Sequence, residues 1–147
     1  VDERVYLDLG FFDELKQRFG ASGDFAQAYV IAHELGHHVQ RILGTDAQIR
    51  RAEESNPGQA NQLSVKLELQ ADCYAGVWAH STEQRRILEK GDLDEALNAA
   101  SSVGDDRIQQ RTTGRVNVDS FTHGSAAQRS AAFRRGLESG DPRSCAL

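Results

Sequence analysis

The run Ala28-Tyr29-Val30-Ile31-Ala32-His33-Glu34-Leu35-Gly36-His37-His38-Val39-Gln40-Arg41-Ile42-Leu43 carries apolar residues at helical spacing, and no proline interrupts the chain between Asp24 and Gly44. This pattern predicts one long helix with a buried face. A helix turns about 100° per residue, so His33 and His37 stand about 40° apart, one turn above the other. Two imidazoles so placed can grip one metal ion. Glu34 falls about 60° beyond His37, too offset to replace a histidine as ligand and close enough to meet a water on that metal, where a general base must sit. The competing reading makes His33 and His37 hydrogen-bonded core histidines and Glu34 a solvated helix residue.

A third ligand decides the class of metal site. Where one zinc pattern requires glycine three positions and histidine six positions after the second histidine, this chain has Gln40 and Leu43, and the inverted H-x-x-E-H order is also absent. There remains a glutamate from a separate helix. Glu68-Leu69-Gln70-Ala71-Asp72 begins 31 positions after His37 and sets two carboxylates one helical turn apart. Glu68 is then the third ligand, and Asp72 accepts the free N–H of a ligand histidine, His33 being the favoured partner. Read alone, the Glu68 to Asp72 segment is an ordinary charged helix stripe.

Three blocks, His33-Glu34-Leu35-Gly36-His37-His38-Val39-Gln40, Glu68 to Trp78 and Phe121-Thr122-His123-Gly124-Ser125, resemble the bacterial neutral zinc metallopeptidase family in order and spacing, over essentially the whole chain. The E-x-x-x-D arrangement is similar to that of the gluzincins. The resemblance implies Zn2+ held by His33, His37 and Glu68, with Glu34 as catalytic base. It also implies a bacterial cell-envelope location, since an upstream segment in that family commonly carries a membrane anchor and a cysteine. One departure is Ala132, where the family often places a tryptophan before the phenylalanine at Phe133.

Composition bounds the rest. With 147 residues, 39% hydrophobic and 27% charged, residues 1–147 read as a single domain able to bury a core. A net charge of -5 argues against nucleic acid as partner, because the pairs Arg50-Arg51, Arg85-Arg86 and Arg134-Arg135 are diluted by acidic neighbours. No apolar run approaches the roughly eighteen residues of a membrane span. The chain contains no methionine and opens on Val1-Asp2-Glu3-Arg4, so it reads as a processed or excised piece lacking an upstream segment. Cys73, in an apolar helix register, is expected as a buried free thiol, and Cys145 as a cysteine that has lost an upstream partner.

Along the chain, the alternation in Arg4-Val5-Tyr6-Leu7-Asp8 predicts a half-exposed strand, the edge against which an extended peptide would align. Helices are expected from Phe11 to Phe19, from an Asp24 N-cap to Gly44, from Asp46 to Glu54, and from an Asn56-Pro57 start to His80. Between the first two, Gly20-Ala21-Ser22-Gly23 reads as a turn. Asp92 with Glu95 resembles a capping box opening a helix to Ser101, another helix runs from Asp105 to Arg111, residues 115–119 read as extended, and Ser125 caps a last helix to Gly140. The fold class predicted is α+β, mostly α: a compact zincin-like domain with a small β element.

The chemistry expected is hydrolysis of peptide bonds in a peptide or protein substrate, with Glu34 and His123 as catalytic residues and His123 as the donor that steadies the developing oxyanion. His123 has a structural alternative, bracing the loop or capping the Ser125 helix, and Tyr74 is a weaker donor candidate. His38 and His80 read as surface or supporting residues. Arg129 reads either as a clamp for a substrate carboxylate or as the partner of an acidic side chain. Two other function classes fit the same motifs: a catalytically silent zinc-binding scaffold or interaction domain, and a zinc amidase acting on a non-peptide amide.

Overall fold

The computed structural model describes residues 4–17 and 23–147, and every regular element among them is helical. The α-helices are α1 (Leu9–Gln17), α2 (Asp24–Ile42), α3 (Thr45–Ser55), α4 (Ala60–Gln84), α5 (Asp92–Ser102), α6 (Asp105–Thr113) and α7 (Ala126–Ser139). Short 3-10 turns cover Pro57–Gln59, Val118–Ser120 and Pro142–Cys145. The expected α+β class is therefore corrected to all-α. Residues 4–8 are irregular, with Val5, Tyr6 and Leu7 exposed, and residues 115–117 lead directly into the 3-10 turn at Val118–Ser120. Alternation describes a strand only when a second strand supplies the ladder hydrogen bonds, and the described residues offer none. The expected end of the first helix at Phe19 and the residues 20–22 of the turn lie outside the described residues.

Helix ends follow local chemistry, with corrections at α2, α4 and α5. Asp24 is the first helical residue and not the N-cap of α2; the N–H of Phe25 donates to Glu95 Oε2 of α5 at 3.1 Å. Glu95 is thereby diverted from the expected capping box, and Asp92 accepts from the N–H of Glu89 instead. At α7 the sequence pattern is realised in full, with reciprocal bonds between Ser125 and Gln128. Helix α4 runs four residues beyond the expected end at His80, to Gln84.

Helix α4 lies at the centre, against α2 and α7, and its neighbours approach to backbone distance. A Cβ on Gly76 of α4 would stand 2.0 Å from the carbonyl oxygen of Phe133, and one on Gly136 of α7 would stand 1.9 Å from that of Cys73. Gly36, inside the H-E-x-x-H motif, meets Ala71 of α4 in the same manner: a Cβ there would stand 2.9 Å from the Ala71 carbonyl oxygen. Hydrogen in place of a side chain at these positions lets three helices pack closely enough for short polar side chains to meet. The core below is built from Leu15, Phe25, Tyr29 and Phe133 together with small residues Ala75, Ala79, Ala96, Ala99 and Ala100.

The Pro142–Cys145 turn folds the end of the chain back over α4, and Cys73 and Cys145 form a disulfide with their Cα atoms 5.6 Å apart. This corrects both cysteine expectations: Cys73 is not a free thiol, and the partner of Cys145 lies within this chain. Two cysteines allow only this one bridge within the chain, but the return of the chain end to α4 across 72 residues was not marked by any local pattern. Closing a loop of that length removes denatured-state entropy worth about 4 kcal/mol in the chain-entropy view.

The α4–α7 contact predicts that Gly136→Ala lowers stability by about 2 kcal/mol, the cost of overpacking outweighing the roughly 1 kcal/mol gain in helix propensity. In a chain of this size the loss lowers Tm by about 4 to 8 °C. Thermal unfolding followed by circular dichroism checks it, and an unchanged or raised Tm would contradict the close approach.

Candidate metal centre

The approach of α2 to α4 through Gly36 and Ala71 brings His33 and His37 opposite Glu68. His33 Nε2 lies 3.1 Å from Glu68 Oε2, His37 Nε2 lies 3.4 Å from Glu68 Oε1, and the two Nε2 atoms are 3.1 Å apart. Four-coordinate zinc, with ligand distances near 2.0 to 2.1 Å, separates its donors by about 3.3 Å. The three side chains thus offer one compact N2O donor set. His37 and Glu68 retain partial exposure, 31% and 17% of their side chains, so one side of the set opens outward.

Each imidazole is held from behind. Asp72 Oδ1 accepts from His33 Nδ1 at 2.8 Å and from the Tyr29 hydroxyl, while Arg129 donates through Nε to Oδ2 at 2.8 Å and through Nη2 to Oδ1 at 3.1 Å. Asp72 is completely buried and Arg129 is 4% exposed. Arg129 therefore takes the acidic-partner role of its two expected ones. His37 Nδ1 meets Gln40 Oε1 at 2.8 Å. With both Nδ1 atoms so engaged, both Nε2 atoms are turned toward Glu68.

The electrostatics follow from this packing. Burial alone would depress the His33 pKa, but hydrogen bonds to Asp72 and Glu68 prevail and raise it to about 9. His37 is raised in the same way, burial being outweighed chiefly by Glu68. Burial would raise Glu68 and Asp72, yet the histidines hold Glu68 below the usual carboxylate range, and Arg129 with His33 holds Asp72 down. The Tyr29 hydroxyl stays protonated, pushed far up by burial and by Asp72.

Two cavities meet at the donor set. One, of about 440 Å³, has Phe11, Val30, Val103 and Ile108 as apolar walls. The other, of about 400 Å³, is lined by Arg4, Arg41, Arg50 and Asp46. Glu34, His37 and Glu68 border both. Glu34 is exposed, and no hydrogen bond or ion pair engages it among the described residues, which leaves its carboxylate available beside the donors.

His123 reaches the rim of the apolar cavity, where its imidazole is about half exposed. Its loop is fixed by Asp105, whose Oδ2 accepts the backbone N–H groups of Thr122, His123 and Gly124 at 2.9, 2.7 and 2.9 Å. His123 Nδ1 lies 2.9 Å from Thr122 Oγ1 and 3.3 Å from Asp105 Oδ1. The Tyr74 side chain lines a separate surface hollow with Leu43 and Pro142. His38 borders the arginine-lined cavity beside His37. His80 braces α4 to α7, its Nδ1 donating to the Leu137 carbonyl at 2.7 Å.

Sequence reasoning missed four contributors. Tyr29 stands four residues before His33, and Gln40 three after His37, spacings that place each beside its histidine on one helix face. Gln70 and Asp105 act across 30 and 17 or more residues, and no local pattern marked them.

Two histidines and a glutamate from two packed helices thus form one donor set of the kind that can hold a metal ion, with the Glu34 carboxylate bordering the same cavities. A sequence profile of the family described as "Putative neutral zinc metallopeptidase" matches residues 1–147, and the chain belongs to that family. It is 57% identical over 146 residues to the Escherichia coli K12 protein "Uncharacterized protein YpfJ", covering 99% of this chain and 51% of that one. It is 49% identical over 156 residues to the Mycobacterium tuberculosis H37Rv protein "Uncharacterized protein Rv2575", covering 99% and 52%. The chain thus spans about half the length of these relatives. No solved structure matches it.

In the metal-free protein the raised His33 pKa has a definite sign. Protonated His33 contributes stability fully present below its unfolded pKa of 6.5 and lost as pH rises through about 9. Denaturant unfolding of metal-free protein at pH 6.5, 7.5 and 9 is expected to show falling stability. Zinc competes for the same nitrogen, so its apparent affinity rises across that window, approaching tenfold per pH unit for each proton displaced. Calorimetry in buffers of different ionisation enthalpy reads the protons released.

Proposed function

We propose that this domain is a zinc-dependent peptidase in which His33, His37 and Glu68 hold the metal, Glu34 is the general base, and His123 donates to the carbonyl oxygen of the scissile bond. The observation that carries this reading is the set of three converging donors 3.1 to 3.4 Å apart, open on the side where Glu34 stands. Zinc, when bound, lowers the pKa of water toward 7 and polarises a carbonyl. Glu34 takes one proton from the attacking water and returns it to the leaving amine as the C–N bond breaks. His123 donates a hydrogen bond to the carbonyl oxygen as negative charge grows there, while Asp105 keeps the loop in place. Asp72 and Gln40 hold the two imidazoles in the tautomer that leaves Nε2 as donor.

An exposed base beside an open cleft favours catalysis over a silent scaffold, because a purely structural site more often fills all four positions with protein ligands. The cleft walls favour a peptide with a large apolar side chain toward Phe11, Val30 and Val103, and the opposite arm is basic. The Cys73–Cys145 disulfide supports an oxidising, extracytoplasmic setting for the domain in a bacterial envelope. No helix among the described residues is long and apolar enough to cross a membrane.

The test pairs zinc content with cleavage of an unbiased peptide pool followed by mass spectrometry. Glu34→Gln is expected to bind zinc as the wild type does while cleavage falls by at least about 100-fold. His123→Ala is expected to lower kcat by roughly 100-fold with zinc affinity unchanged. Zinc binding without cleavage in the wild type would leave the scaffold reading standing, and an active Glu34→Gln protein would remove Glu34 from its role.

A further inference from the structure

Behind His37, on the side away from the donor set, Gln40, Gln70 and the disulfide are linked in one buried chain. Gln40 is 1% exposed, Gln70 is 5% exposed, and both cysteines are fully buried. Gln70 Nε2 donates to the Cys145 carbonyl at 2.9 Å, Gln40 Nε2 donates to Gln70 Oε1 at 3.0 Å and to the Leu67 carbonyl at 2.7 Å, and Gln40 Oε1 meets His37 Nδ1 at 2.8 Å.

The chain has only one consistent polarity. The carbonyls of Cys145 and Leu67 can only accept, so each requires an amide nitrogen facing it. That choice turns Gln70 Oε1 toward Gln40, whose second N–H it accepts, and turns Gln40 Oε1 toward His37. An amide oxygen can only accept, so Nδ1 of His37 carries the hydrogen and Nε2 keeps its lone pair for the donor set. Flipping either amide would set oxygen against oxygen in a buried place, at a cost of about 1 to 3 kcal/mol for each unpaired group. The tautomer of a residue on α2 is thus decided by two backbone carbonyls, one of them held over α4 by the bond from Cys145 to Cys73.

We propose that Gln40 and Gln70 are positioning residues for His37, and that the Cys73–Cys145 disulfide tightens metal retention by fixing the Cys145 carbonyl that orients them. This rests on the metal-site reading above and not on peptide cleavage. Cys73 follows Asp72 directly on α4, so the same short segment supports His33 through Asp72 and anchors the chain that supports His37.

The test measures zinc affinity by competition with a chromophoric chelator and records the d–d spectrum of the cobalt-substituted protein. Four proteins are compared: wild type, Gln70→Leu, Cys73→Ala/Cys145→Ala, and the combination. Gln70→Leu and the cysteine pair are each expected to weaken zinc by about tenfold and to shift the cobalt spectrum, as loss of an outer partner does. Since both act through one chain, the combination is also expected near tenfold, far from the hundredfold of independent effects. Leu15→Ala, which destabilises the fold from the core face of α1 and not from α4 or the Pro142–Cys145 turn, is expected to leave zinc affinity unchanged. Should the cysteine pair fail to fold, Gln40→Leu with and without Gln70→Leu carries the test: Gln40→Leu removes the acceptor for His37 outright and is expected to weaken zinc by about tenfold, and adding Gln70→Leu is expected to weaken it no further. Multiplicative losses, an unchanged affinity in Gln70→Leu, or an unchanged affinity in Gln40→Leu would overturn the proposal. A wild type that binds no zinc would overturn it together with the metal-site reading. Zinc binding with the expected pattern but no peptide cleavage would sustain the inference and remove the peptidase.

Discussion

A carboxylate taken wholly out of water costs several kcal/mol unless other groups replace its hydration, and the centre of this protein is arranged around one such group. Asp72 has no exposure, and its two oxygens are met by Arg129, Tyr29 and His33. These partners come from α7 and α2, so the charge of Asp72 ties three helices at one point. The same contacts prevent His33 from rotating. Structural support and metal-site geometry are therefore the same set of hydrogen bonds, and a change that spared one while removing the other is hard to devise. No buried side-chain nitrogen or oxygen among the described residues lacks a partner, as expected where polar atoms are packed this tightly.

The pairing requires helices closer than ordinary side chains allow. Gly36, Gly76 and Gly136 supply that closeness, and the surrounding alanines continue it. Short side chains such as Asp72 reach their partners only because the helix backbones nearly touch. Larger residues at these glycines would push α4 outward and lengthen contacts on which the donor set relies. The glycine of the metal motif thus acts through its contact with Ala71, one residue from Asp72, and not through the metal itself.

Much of the site was legible because helical geometry is local. His33, Glu34 and His37 follow from a three- and four-residue spacing, and Glu68 and Asp72 from the same spacing on a second helix. Asp72 meets His33, the histidine favoured as its partner. Long-range features were not legible: the disulfide spans 72 positions, and the Asp105 contact with the His123 loop joins elements on either side of the 3-10 turn Val118–Ser120. The strand at residues 4–8 failed for a related reason. Alternation over five residues is a property of one segment, whereas a sheet is a property of two, and no second strand exists among the described residues. Helix caps divided along the same line, Ser125 closing its own box within four residues while Glu95 was drawn across to α2.

The disulfide has a further effect that depends only on its place in the chain. Residues 73–145 form one covalent ring that contains α5, α6, α7 and the His123 loop. A single cut anywhere inside that ring opens it without releasing a fragment, and Arg129, His123 and Asp105 stay tethered to the helix that carries Glu68. A protease that nicks the chain there therefore leaves one molecule.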